Sequence, residues 1–509
     1  MTELTPVQQY YKGKTVFITG ATGFVGKVLL EKLLYSCSEL REIIIICRAK
    51  REKSPQLRLE EMWKIPIFQR IKDEKPEMLK KVTLLEGDIA HEFLGLSKQK
   101  LEYVAEHTNI VYHVAASLKM QGPLSESIDM NLAGTRRALD LARKMKHLES
   151  FVYVSTAFCN CDQNIVEEQV YDFPHKPEDL MRLAEWLDEK TLNSIKDDLI
   201  HPQPNNYIYT KRLAELYVRD QYEQMPVAIA RPSIVTSIYK DPIPGWIDNY
   251  NGVVGIMIAS GKGVLRSLMC DKNAEIEVVP VDAVITGLIV IPYSINTQKE
   301  RPSEIPVFNL TQPKHLQRTC TWIMEHAKRF KDEYPLKAVW HPNTTFTMNI
   351  YYHWFNVIMF MFLPALFLDM LLTLCGQRRF MMRVHRRIVA GISVLQFFTT
   401  RKWNFKIDKY LEICDNLVPE DKEIFLTPQE LKDTEAYLYR SCIGGRQYLC
   451  KEPLSNVARA RVVAKILFIL DRFCKIVLCS LIFYWLANTL GLVDYVRAID
   501  PLHFFVAVK

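Results

Sequence analysis

Residues 14–34 read KTVFITGATGFVGKVLLEKLL. Val16, Phe17 and Ile18, with Thr15 and Thr19 on either side, predict a short buried strand. From Phe24 the apolar residues Val25, Val28, Leu29 and Leu33 follow helical spacing. Gly20, Gly23 and Gly26 therefore fall in a strand-to-helix turn. There one glycine permits the tight turn, a second lets the backbone approach a pyrophosphate, and a third lets helix and strand pack closely. The free N–H groups at the helix start complete an anion site. Thr19, Gly20, Thr22, Gly23, Phe24, Val25 and Gly26 are the candidate contacts of this turn.

The rest of the first half extends the pattern. Apolar runs at 43–47 (IIIIC), 82–86, 109–114, 151–155 and 227–230 alternate with helical stretches. Runs that are apolar on both faces belong inside a parallel sheet, so the fold class is a doubly wound α/β Rossmann domain. Ligands in such folds bind beyond the carboxyl ends of the strands. Those ends are Asp88 and Ile89, then Ala115 and Ala116, then Ser155 and Thr156, then Pro232 and Ser233. The second strand ends in Cys47, Arg48, Ala49 and Lys50, where an acidic residue would bind a free ribose 2′-hydroxyl. The guanidinium of Arg48 suits a 2′-phosphate, so NADPH is expected over NADH.

The chain has 509 residues, 49% hydrophobic, enough for more than one domain. A net charge of +7 with 24% charged residues is modest and gives no reason to expect a nucleic-acid partner. Twelve cysteines include one close pair, Cys159 and Cys161, without further ligands to complete a metal site. Reduced thiols in a cytosol-facing protein are expected, with no metal. The first twelve residues lack the apolar core of a signal peptide.

The stretch NNYIYTKRLAELY (205–217) places Tyr207 and Lys211 four residues apart, on one helix face. An ammonium beside a phenol favours the phenolate, so a lowered Tyr207 pKa is expected. Such a tyrosine passes protons to and from a substrate oxygen. Thr156 or Ser155, at the end of YVSTAF (153–158), can donate a hydrogen bond to the same oxygen. His113 ends a strand and is expected to be structural.

TGATGFVG, YVSTAF and the Tyr207/Lys211 spacing resemble the extended short-chain dehydrogenase/reductases. ARPSIV (230–235), PIPGWIDNYNG (242–252), GKGVLR (261–266), VVPVDAV (278–284), KWNFKIDKYLEI (402–413) and GGRQYLCKE (444–452) narrow the resemblance to the alcohol-forming fatty acyl-CoA reductases, over nearly the whole chain. The resemblance implies reduction of long-chain acyl-CoA by NADPH to a primary alcohol through two hydride transfers. It implies that Tyr207 protonates the thioester oxygen and that Lys211 tunes Tyr207 and holds the nicotinamide ribose. It implies as well that Thr156, with Ser155 as fallback, polarises the carbonyl. The resemblance also implies that the loop 242–252 helps to cover the substrate and that the C-terminal helices lengthen the acyl pocket. The expected domains are an N-terminal tail at 1–12, a reductase domain at 13–345 and a mostly helical C-terminal domain at 376–465. Thr427, Pro428 and Glu430 predict a capping-box helix start in the last of these.

Two segments are apolar enough to meet lipid. Residues 476–493 are uncharged, follow Arg459, Arg461, Lys465, Arg472 and Lys475, and are expected to form a single transmembrane anchor with the reductase facing the cytosol. The terminus AVK is no peroxisomal Ser-Lys-Leu signal, and either endoplasmic reticulum or peroxisome is open. Residues 354–375 carry Asn356, Pro364 and Asp369 and precede a flank, 377–402, with seven Arg or Lys and no acid. An in-plane or re-entrant element is expected, its arginines on lipid headgroups, with a true span as the alternative. A sterol dehydrogenase or nucleotide-sugar epimerase would account for the first 240 residues alone, and a silent membrane-bound cofactor protein would not need Tyr207, Lys211 and Thr156 together.

Overall fold

The computed structural model describes residues 3–490. Six strands run Thr15–Thr19 (β1), Glu42–Cys47 (β2), Val82–Glu86 (β3), Ile110–His113 (β4), Ser150–Val154 (β5) and Val227–Pro232 (β6). With an edge strand at Val307–Leu310 they form one seven-stranded sheet, ordered β3-β2-β1-β4-β5-β6-edge. Every pairing in it is parallel. The alternating side chains supply both faces. Val16, Ile18, Ile43 and Ile45 join one core, with the helices Phe24–Ser36 and Val281–Thr297. Phe17, Ile44 and Ile46 join the other, with the helix Asn206–Arg219. The strand order reverses between β1 and β4, which opens a crevice at their carboxyl ends.

The C-terminal half packs on this frame. The helix Asp408–Asp415 seats Tyr410, whose hydroxyl donates to the Ala283 carbonyl at 2.9 Å. The Glu168 carboxylate accepts backbone N–H groups from Asn309 (3.0 Å), Lys409 (2.6 Å) and Tyr410 (3.2 Å), tying that helix to the sheet edge. Glu430 accepts from the Thr427 N–H at 2.9 Å, as a capping box requires, but it closes a short 3₁₀ turn, Pro428–Glu430. The α-helix itself starts at Thr434, with Asp433 accepting from the Ala436 N–H. A second cap thus takes over the role expected of the first.

Residues Ile350–Leu374 form a helix interrupted by a π-helical turn at Ile358–Phe362. His353, Val357, Met361, Ala365 and Asp369 are buried, spaced one turn apart along a single stripe. His353 Nδ1 lies 2.9 Å from Ser267 Oγ. The opposite face exposes Tyr351, Phe355, Phe367, Met370 and Leu374. Asp369 does not face lipid. Its carboxylate accepts the N–H groups of Phe380 (3.0 Å), Met381 (2.9 Å) and Met382 (2.9 Å) at the start of the next helix, Met381–Thr399. One charge in an apolar stretch thus closes a helical hairpin.

Among the described residues, Ile350–Leu374 is the helix long and apolar enough to cross a membrane, and the C-terminal helix is not. The expected anchor at 476–493 begins inside a longer helix, Val457–Thr489, which also carries Arg472 and Lys475. Asp471 in that helix accepts from Trp340 Nε1 at 2.7 Å, and beyond it Leu481, Phe483 and Trp485 are exposed. Residues 491–493 and the terminal AVK lie outside the described residues.

Candidate active site

The glycine turn has the geometry its spacing predicts. Gly20 takes φ +76°, and a Cβ there would meet the Ala115 backbone nitrogen at 2.6 Å. A Cβ on Gly26 would collide with the Gly20 carbonyl oxygen. These glycines bring the loops after β1 and β4 together and leave the backbone bare beside a cavity of about 550 Å³. The cavity is lined by Gly20, Thr22, Gly23, Phe24, Val25 and Gly26 from the turn, by Arg48, Asp88, Ile89, Ala115 and Ala116 from neighbouring strand ends, and by Ser155, Thr156, Tyr207, Lys211, Pro232 and Ser233. Thr19 stands behind this wall. It is buried, its Oγ1 2.8 Å from His113 Nδ1 and accepting the Ala115 N–H at 3.3 Å.

Tyr207 and Lys211 lie in the first turns of the helix Asn206–Arg219, whose start is capped by the Asn205 side chain accepting the Ile208 N–H at 3.0 Å. A buried ion pair fixes this helix to β6: Arg231 reaches Glu215 at 2.6 and 2.9 Å. Lys211 Nζ donates to the Val154 carbonyl at 2.6 Å and lies 4.5 Å from the Tyr153 ring centroid. Burial pushes the Lys211 ammonium down to about 7. Burial also pushes the Tyr207 phenol well above its usual value, the reverse of the lowering expected from its lysine neighbour. Desolvation penalises the phenolate as well as the ammonium, and the lysine's hydrogen bond goes to a carbonyl.

Ser155 Oγ is buried without a partner. Thr156 Oγ1 accepts the Phe158 N–H at 3.4 Å, which leaves its own proton to donate elsewhere. His113 is buried between Thr19 and Thr135, and burial with the Lys211 charge lowers it to about 3, so it stays a neutral structural residue.

The cationic end of the cavity is richer than β2 alone indicates. Arg48 pairs with Asp88 at 2.9 Å. Arg58, from the helix Pro55–Trp63, donates to the Arg48 carbonyl at 2.6 Å and to Thr22 Oγ1 at 3.1 Å. Lys50 also lines the cavity. Arg58 carries no motif of its own; only its return to the turn reveals it. At the other end Phe158, Ile208, Ile234, Leu395 and Phe398 form an apolar wall. The loop 242–252 lies across the turn: Trp246 is buried against Phe24, ring centroids 5.7 Å apart, and Asn249, Asn251 and Gly252 reach the cavity.

A parallel sheet with this order, a bare-backbone turn at its switch point and a Tyr/Lys helix beside it are the features of a dinucleotide-binding protein of the extended short-chain type. Two family profiles, both described as male sterility protein, match residues 18–288 (a NAD-binding profile) and 360–452. Fatty acyl-CoA reductase 1 of Rattus norvegicus is 37% identical, the match covering 90% of this chain and 89% of that protein. The Homo sapiens protein of the same name is 35% identical over 90% of this chain and 89% of its own length. The chain belongs to the fatty acyl-CoA reductase family and is an oxidoreductase that binds a nicotinamide cofactor. Among solved structures, the reductase domain of a nonribosomal peptide synthetase from Mycobacterium tuberculosis has a TM-score of 0.57 at 16% identity, covering 86% of this chain and 92% of that one. The terminal R domain of the myxalamid pathway has 0.54 at 18%, covering 87% and 91%. These show the same fold. The second profile match lies where an epimerase or sterol dehydrogenase reading leaves the chain unexplained.

Proposed function

We propose that this protein reduces long-chain fatty acyl-CoA to a primary alcohol with NADPH, through an aldehyde-level intermediate. The observation that carries the reading is the cavity itself, which brings together the glycine turn, a cationic group of Arg48, Lys50 and Arg58, the Tyr207, Lys211 and Thr156 set and an apolar wall. The bare backbone at Gly20 and Gly26 fits a pyrophosphate, and Arg48, Lys50 and Arg58 fit a 2′-phosphate. Thr22, Asp88, Ile89, Ala115, Ala116, Pro232 and Ser233 would hold the remainder of the cofactor, which supplies hydride when bound. The relatives' name, fatty acyl-CoA reductase, supports a thioester as the other reactant.

Tyr207 keeps its proton at neutral pH because burial raises its pKa, which is the state a proton donor needs. It gives that proton to the carbonyl oxygen as negative charge develops there. Lys211, while charged, stabilises the phenolate left behind. Thr156 donates to the same oxygen and Ser155 stands ready beside it. The hemithioacetal from the first reduction expels CoA thiol, its hydroxyl proton passing to the departing sulfur. Once a second NADPH has replaced the spent cofactor and Tyr207 has regained a proton from solvent, the aldehyde would present its oxygen to the same donors.

The exposed apolar face of Ile350–Leu374 and the arginines of the following helix support contact with a membrane. Length and composition would let that helix cross, while Asn356, Pro364 and Asp369 within it favour an in-plane or re-entrant position. From the uncharged run 476–493 and the basic residues before it we further propose an anchor there, with the reductase on the cytosolic side of the endoplasmic reticulum or peroxisome, although within the described residues the helix Val457–Thr489 falls short of a span. The full-length protein, given palmitoyl-CoA and NADPH, should yield hexadecanol. Tyr207→Phe should lower turnover by about 10²- to 10⁴-fold while NADPH binding, read by fluorescence, persists. Turnover that survives the substitution removes Tyr207 from the donor role.

A further inference from the structure

The apolar wall of the cavity is a partition. Phe158, Ile234, Leu395 and Phe398 face the active-site cavity on one side and a second, narrow hollow on the other. That hollow offers only about 20 Å³ of free space, room for one water-sized group. Its further lining includes Val253, Ile256, Cys270, Ile276 and Trp403, together with two acidic residues, Glu275 and Glu277. The partition is built from two distant pieces of chain. Phe158 follows Thr156 by two residues, on the short turn after β5, and Phe398 closes the helix Met381–Thr399. Their rings meet edge to face with centroids 5.0 Å apart, and Phe158 makes similar contacts with Trp403 at 5.0 Å and Phe405 at 5.4 Å. A substrate whose carbonyl sits at Thr156 has this ring contact directly beside it, with an apolar space behind.

We propose that the Phe158–Phe398 contact sets the acyl chain length this enzyme accepts, and that the hollow bounded by Val253, Ile256, Cys270 and Ile276 is the subsite for the far end of a longer chain. The inference rests on the acyl-CoA reading above. The chemistry matches: the surface of the hollow is almost wholly apolar, and of its two acidic residues Glu275 is exposed to solvent while Glu277 is buried. Glu277 Oε1 accepts from Gln317 Nε2 at 2.6 Å, and burial raises this carboxyl to about 8, so that at neutral pH it is uncharged beside the hydrocarbon. Chain length then follows from how far two rings separate, since an extended alkyl tail passes between them only if the edge-to-face contact opens.

The test compares kcat/KM for acyl-CoAs of increasing length at saturating NADPH in three proteins. Phe158→Ala removes the partition, Phe398→Ala removes it from the other side, and Ile256→Phe fills the hollow behind it. The first two should move the optimum upward by about two to four methylene groups, the length a vacated phenyl ring accommodates, and raise the long-to-short ratio by about tenfold or more. Ile256→Phe should selectively lose the longest substrates while shorter ones are turned over as before. Unchanged length profiles in Ile256→Phe and in either alanine variant, with wild-type turnover intact, overturn the partition and leave the acyl-CoA reading standing. A wild type that makes no alcohol from any acyl-CoA removes that reading, and the partition with it.

Discussion

At the scale of single residues, the site is governed by desolvation. Lys211 is fully enclosed and its ammonium falls to about 7, with nearby Glu215 opposing the fall. The group is charged below that pH and neutral above it. If its charge serves proton donation by Tyr207, kcat/KM for the cofactor, which reports ionisations of the free enzyme, should decline as pH rises through about 7. Lys211→Met should give a flat profile at a low rate. A wild-type rate that climbs steadily from pH 6 to pH 8.5 would contradict a role for the charged form. The spacing of Tyr207 and Lys211 was readable from the chain because a helix places residues four apart together. The direction of the Tyr207 shift was not, since spacing reveals a neighbour and says nothing of how much water each group loses. Arg58 escaped for a related reason: its meaning comes from the Thr22 hydroxyl and Arg48 carbonyl it reaches, both brought to it by the fold.

At the scale of elements, the helix carrying Tyr207 owes its position to the Arg231–Glu215 pair, which is buried on both sides. Removing one partner leaves an uncompensated charge in the interior, which costs about 3–5 kcal/mol. Arg231→Met should therefore lower the urea midpoint sharply, whereas Arg231→Met with Glu215→Leu should regain most of the loss. Equal destabilisation in the single and double variants would mean the pair does not carry the helix. Six strands of the sheet were legible because each is an apolar run ending in small or polar residues. The edge strand Val307–Leu310 was not: it has four residues, one of them Asn309, and belongs to the sheet through pairing with β6 and the Glu168 clamp. The capping box at Thr427 shows a similar limit, since the pattern identifies a cap without telling whether a full helix or a single turn follows.

At the scale of the whole molecule, one helix runs between two surfaces of different character. Met381–Thr399 begins at the Asp369 cap beside Arg379, Arg383, Arg386 and Arg387 and ends with Leu395 and Phe398 in the active-site wall. The full-length protein should bind vesicles containing anionic phospholipid more tightly than neutral ones, and replacing Arg383, Arg386 and Arg387 with Glu should remove the difference, measured by co-sedimentation. Retained preference after that reversal would separate the arginines from lipid contact. If the hairpin lies on lipid as proposed, the catalytic wall continues into a membrane-bound element and the enzyme should draw its substrate from a two-dimensional pool. Its saturation is then set by acyl-CoA per phospholipid rather than per litre. Adding substrate-free bilayer at constant bulk acyl-CoA should slow it, as surface dilution slows interfacial enzymes.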